Sequence, residues 1–268
     1  MSADSGRLRR IARQHLETTV LLGVDFVPTR HGDPRSTVDN VPVVHTVSPK
    51  VPNLFNDAAL PGAVGGPAEL AADEKPAALE ALQARHDADC PHCTTATSHT
   101  QTVFGEGNPD AALMFVGEAP GQEEDRTGKP FVGRAGRKLD EMITAMGMRR
   151  EDVYIANILK SRPPDNRAPL PPEVDSCAPF LAEQIRIIRP SVLVSLGNPA
   201  TKFMLRTNAG ITRLRGNWAS YTDGALAIPV MPTFHPAYLL RNYTVDTRSK
   251  VWSDMQAVMG RLARPMER

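Results

Sequence analysis

From residue 111 onward, short apolar runs alternate with stretches of helical period, and few folds accommodate that rhythm. The runs "AALMFVG" (111–117), "DVYIANIL" (152–159) and "SVLVSLG" (191–197) have strand length, and their continuous apolar character predicts strands covered on both faces. Helices are predicted between them near 135–146, 172–188 and 198–206, and "GNWASYTDGALAIPVMPTF" predicts a hairpin that turns at Asp223-Gly224 into a last strand. The pattern predicts an α/β fold of three layers, α/β/α, around a central, mostly parallel four-stranded sheet. In such sheets ligands collect in the crevice at the carboxyl ends of the strands. The loops at 117–136, 157–172 and 234–242 are therefore the places where chemistry is expected.

The chain upstream reads differently. Leu8, Ile11, Ala12, Leu16 and Val20 fall at helical spacing, which predicts an N-terminal helical segment over residues 1–26. Residues 27–76 are rich in Pro, Gly and Ala without a sustained period and predict a flexible linker. A helix over "PAALEALQARH" then opens a domain expected to span 77–268. The apolar run "VLLGV" is too short for a membrane span and lacks the context of a signal peptide. An odd cysteine count, three, fits a reducing compartment, so the expected location is the cytoplasm. The net charge of +1 provides little bulk attraction to nucleic acid, and any DNA binding must come from a local basic surface.

Three positions at the predicted sheet edge carry usable chemistry. Glu118 lies between Gly117 and Pro120 at the mouth of a buried strand, where an acid faces the crevice. Asn157 ends the second strand with an amide that offers both a donor and an acceptor, as the edge of a base does. His235 follows the last strand in "TFHPAYLLRN", whose leucines in a loop suggest a wedge. The loop "GEAPGQEEDRTGKPFVGRAG" lacks both the Walker spacing and the three-glycine dinucleotide fingerprint, so no nucleotide cofactor is expected. Cys90 and Cys93, in "HDADCPHCTT", stand at a metal-ligand spacing.

The segments "GEAPGQEEDRTGKPFVGRAG", "NILKSRPPDNRAPLPPEVDSC", "RLRGNW" and "HPAYLLRN", in this order, resemble the iron–sulfur uracil-DNA glycosylases, the group called family 4. The resemblance runs from about residue 79 to the end of the chain. It implies an enzyme of base excision repair that removes uracil from DNA and leaves an abasic site. It also implies roles. Phe131 would stack on the flipped uracil, Asn157 would read its edge, and Ala119 to Gly121 would complete the pocket. His235 would donate to uracil O2 as the base leaves, and Glu118 would act near the sugar. Leu239, Leu240 and Arg241 would meet the DNA minor groove. The partner implied is uracil-containing DNA, met by a monomer. Relatives that become covalently trapped on DNA carry a histidine in an Arg-rich insertion, and "SRPPDNRAPLPPE" has neither, which argues for turnover. A weak DNA-binding module that only recognises uracil is the other reading.

The family's [4Fe–4S] cluster is held by four cysteines. Cys90, Cys93 and Cys177 match three of them, and the fourth position falls on Ser161. A serine hydroxyl is far less acidic than a thiol and a poorer partner for iron. Serine ligation, replacement by His92 or His99 or by water, and a three-iron or absent cluster all stay open; the expectation is a retained but labile cluster.

Overall fold

The computed structural model describes residues 69–263. The expected N-terminal helix and most of the expected linker lie outside the described residues. The first helix among the described residues, α1 (Lys75–Asp89), begins two residues inside the stretch read as linker. Lys75 is already buried there, its ammonium donating to the carbonyl of Ile188 at 3.0 Å.

Strands and helices then follow as β1 (Glu106–Gly107), β2 (Leu113–Gly117), α2 (Gln122–Thr127), α3 (Arg134–Ala145), β3 (Tyr154–Asn157) and α4 (Pro171–Ile188). The chain continues with β4 (Val192–Leu196), α5 (Gly197–Leu205), α6 (Ile211–Leu214), β5 (Ala219–Asp223) and β6 (Leu226–Thr233). Two helices, α7 (Pro236–Arg241) and α8 (Val245–Leu262), complete the fold.

Among the described residues the sheet has six strands, in the order β1-β3-β2-β4-β6-β5. The four inner strands are parallel, as expected, and an antiparallel strand is added at each edge. This corrects the expected count of four. One addition, β5, is the first arm of the predicted hairpin; the other, β1, has two residues, too few to leave any periodicity. Strand alternation divides the interior into two cores. Met114 and Val116 pack with Leu82 of α1, Leu181 and Ile185 of α4 and Met204 of α5 on one face. Leu113 and Phe115 pack with Leu139 and Ile143 of α3 and Trp252 and Met255 of α8 on the other. The three-layer expectation therefore holds.

Local signals place the helix starts. Pro171 and Pro172 open α4, where a missing N–H costs nothing, and the Glu173 carboxylate accepts from the Leu170 N–H at 2.7 Å. Thr244 caps α8 by accepting from the Thr247 N–H at 3.1 Å. The register brings the carboxyl ends together: Gly117 pairs with Asn157, and Leu196 with Thr233. Everything that leaves those four strand ends enters one crevice.

Candidate functional site

A cavity of about 750 Å³ lies at that crevice, lined among others by Glu118, Phe131, Asn157, Asn198, His235 and Arg241. Ala119 and Gly121 line it as well. The expected pocket residues are therefore brought together, although they come from loops separated by more than a hundred positions.

Two close backbone approaches set their positions. A Cβ on Gly117 would stand 2.3 Å from Asn157 Oδ1 and 2.5 Å from Phe131 Cζ, so glycine there lets both side chains close over the strand end. Phe131 itself sits at φ 50°, an unusual backbone for a bulky residue. The guanidinium of Arg150 holds that turn, donating to the carbonyls of Pro130 and Phe131 and pairing with Asp140 at 2.7 Å. No sequence motif singles out Arg150.

Asn157 is buried, and its Oδ1 has no hydrogen-bond partner in the protein. A buried acceptor without a donor is costly, and this one lines the cavity. Its backbone carbonyl accepts from the ammonium of Lys160 at 2.9 Å, and that ammonium also donates to Gln184 Oε1 at 2.6 Å. Lys160 is fully buried and thus braces the strand end from behind. Its place just past the predicted strand offered no hint of this.

His235 caps α7. Its Nδ1 accepts from the Ala237 N–H at 3.1 Å, so the ring proton of the neutral imidazole sits on Nε2. Burial, helped by the charge of Arg241, pushes its pKa down to about 4. The ring is tilted against Phe131, with centroids 5.7 Å apart. Burial raises the pKa of Glu118.

Two other acids of the Gly-rich loop, Glu124 and Asp125, brace its backbone. Glu124 Oε1 accepts from the Val132 and Gly133 N–H groups, both at 2.8 Å, and Oε2 accepts from the Gly121 N–H at 3.2 Å. Asp125 is buried and accepts from the Thr100 N–H at 2.7 Å.

In the last loop the structure separates the two leucines of the expected wedge and removes Leu239 from it. Leu239 is 3% exposed and packs in the core beneath α7, because the segment is helical and turns that position inward. It cannot reach DNA without leaving the core. Leu240 is half-buried, Arg241 is exposed, and Tyr238, which sequence reasoning passed over, is exposed on the cavity rim.

A second cluster stands apart from the cavity's lining. Cys90, Cys93 and Cys177 are buried free thiols; Cys177 Sγ lies 3.9 Å from Cys90 Sγ and 3.6 Å from Cys93 Sγ. Ser161 is buried beside them, its Oγ accepting from the Cys93 thiol at 3.4 Å. The histidine that joins the group is His86, not His92 or His99: among the described residues the donor atoms of His86 and the three cysteines all lie within 4.8 Å of one another. The signal was present in "HDADCPHC", where His86 precedes Cys90 by one helical turn. Buried thiols and imidazole converging in this way are a donor set for a thiophilic metal.

A profile of the Uracil DNA glycosylase superfamily matches residues 104–256. The chain is 48% identical to a type-4 uracil-DNA glycosylase of Thermotoga maritima over 168 residues, which cover 62% of this chain and 86% of that protein. It is 41% identical to a type-4 uracil-DNA glycosylase of Archaeoglobus fulgidus over 173 residues, 63% of this chain and 86% of that protein. A type-5 uracil-DNA glycosylase of Pyrobaculum aerophilum is 30% identical over 167 residues, 54% of this chain and 71% of that protein. The match spans the sheet, the loops at its carboxyl edge and the cavity between them, and the chain belongs to the uracil-DNA glycosylase superfamily.

Proposed function

We propose that this protein hydrolyses the N-glycosidic bond of uracil in DNA with turnover, releasing uracil and leaving an abasic site. One observation carries the reading: an unpartnered Asn157 Oδ1 and a cavity-lining imidazole protonated on Nε2 share one cavity with Phe131. A uracil taken out of the stack would lie against the Phe131 ring. Asn157 Oδ1 would accept from uracil N3–H and its amide would donate to O4. Cytosine presents an acceptor at N3 and a donor at C4, so it would leave Oδ1 unsatisfied.

When the C1′–N1 bond breaks, its electron pair leaves with uracil and charge spreads onto O2. His235 Nε2–H would donate to that oxygen while staying a neutral imidazole, its low pKa preventing protonation of the ring in the resting site. Glu118 would take the proton of the water that adds to C1′; the raised pKa of this half-buried carboxylate makes it a stronger base than an exposed one. Backbone of Ala119 to Gly121 would close the pocket, and Leu240, Arg241 and Tyr238 would face the DNA.

The resemblance to type-4 enzymes implies a [4Fe–4S] cluster, and Cys90, Cys93 and Cys177 would hold it. When bound, such a cluster supplies a structural cross-link between the turn at the end of α1 and α4. Three free buried cysteines support a reducing, cytoplasmic setting. Among the described residues no helix is long and apolar enough to cross a membrane. On this reading the enzyme acts as a monomer and needs no nucleotide cofactor.

A single-turnover assay on an end-labelled oligonucleotide with one uracil, beside thymine and cytosine controls, tests the proposal. Alkali-labile cleavage at uracil alone, with no covalent adduct on a denaturing gel, is expected. Uracil binding without cleavage would replace the enzyme by a recognition module.

A further inference from the structure

We propose that the fourth ligand of the buried metal site is His86 through Nε2, giving a Cys3His donor set, and that Ser161 supports the site without binding metal. This goes beyond the catalytic reading and does not depend on it.

Position comes first. His86 and Cys90 stand one turn apart at the end of α1, so their side chains leave the same face. Cys93 follows on the turn and Cys177 arrives from α4. The four donor atoms lie within 4.8 Å of one another.

The ring is also oriented for this purpose. His86 is fully buried, and its Nδ1 lies 2.8 Å from Asp87 Oδ1, which in turn accepts from the Thr102 hydroxyl at 2.9 Å. A carboxylate that accepts from one ring nitrogen leaves the other as the ligating lone pair, the usual outer arrangement of a metal-bound histidine. That other nitrogen, Nε2, is buried with no hydrogen-bond partner. Phe104, tilted against the ring, and Phe180, perpendicular to it, confine the imidazole, with centroids at 5.6 and 4.9 Å. An imidazole pinned on three sides whose free nitrogen joins three sulfurs has its ligand role built in.

Ser161 is placed differently. It touches one sulfur, Cys93, at 3.4 Å. Ligation would require loss of a hydroxyl proton with a pKa far above that of a thiol, whereas a hydrogen bond from the hydroxyl to a Cys93 thiolate requires nothing. His92 and His99 are only half-buried and stand outside the donor group.

Two occupants suit a Cys3His set: an iron–sulfur cluster and a single tetrahedral zinc. The full-length protein and its variants are purified without oxygen after growth with added iron. Iron, acid-labile sulfide and zinc are measured together with visible absorbance. Wild type is expected to carry metal, and the ratio of iron and sulfide to zinc identifies the occupant. His86→Ala is expected to lose most of it, Ser161→Ala to keep it, and His86→Cys to restore it with four thiolates. Restoration by cysteine separates ligation from a packing role of the imidazole, which a thiol cannot replace. If iron is present, pulsed EPR of the reduced cluster is expected to show a strongly coupled nitrogen that His86→Cys lacks. Metal retained in His86→Ala but absent from Ser161→Ala would overturn the assignment, as would wild type without metal even after reconstitution with iron and sulfide or with zinc. These readouts stand whether or not uracil is excised.

Discussion

Gly197 lies directly behind His235: a Cβ placed on Gly197 would stand 2.9 Å from the His235 Cβ. The same residue has φ 85°, where an L side chain is strained by roughly 1–2 kcal/mol. Gly197→Ala is therefore expected to lower Tm by a few degrees and to slow uracil excision at least tenfold, because the His235 ring is pushed forward. Thermal melts and single-turnover rates on the same preparation check both; an unchanged rate would remove Gly197 from the positioning of His235.

Asn157→Ala separates function from stability. Its Oδ1 has no protein partner, so its removal costs the free protein no hydrogen bond through that atom. Excision is expected to fall by roughly ten- to a hundredfold, corresponding to about 1–3 kcal/mol for a buried hydrogen bond that the substrate complex no longer makes. Tm is expected to change by little. A large drop in Tm with unchanged excision would mean that the amide is structural.

The pH dependence follows from burial. Partial burial raises the pKa of Glu118, so its carboxylate form, the form that accepts a proton, is lost at a higher pH than for an exposed glutamate. The rate is expected to rise with pH along an acid limb above the ordinary carboxylate range, and Glu118→Gln should be slow with no such limb. His235, neutral down to about pH 4, should add no break between pH 5 and 8. Its depressed pKa also makes the folded state lose stability as pH drops from 6.5 toward 4, where the unfolded chain binds the extra proton.

Neighbouring leucines are expected to behave in opposite ways. Leu239→Ala should destabilise by roughly 2–5 kcal/mol, the cost of emptying a core position. Leu240→Ala should leave Tm nearly unchanged and slow excision more from paired than from single-stranded DNA, where no gap needs filling. Melting curves and rates on the two substrates distinguish them; equal stability losses would place both side chains in the core.

Much of this molecule was legible from local pattern. The inner strands and the helices near 135–146, 172–188 and 198–206 announce themselves by apolar period, and Pro171 and Pro172 fit the first turn of α4 because they lack the N–H that goes unbonded there; α8 (Val245–Leu262) lies outside every predicted element. Glu118, Asn157 and His235 stand out because each sits just where a predicted strand ends. Sequence spacing also identified Cys90 and Cys93, and resemblance added Cys177. Strand β1 escaped notice because a two-residue ladder has no period.

Neighbours along the chain thus suffice for the layered α/β architecture and for the loops that hold the chemistry, since both are written in local period and turn residues. Which side chains face one another across those loops is set by packing. Arg150 grips the Phe131 turn, Lys160 braces Asn157, Leu239 faces inward, and His86 meets Cys177 from a different helix. These pairings depend on how α1, α4 and α7 pack on the sheet, a matter of three-dimensional contact between apolar faces that no one-dimensional spacing encodes.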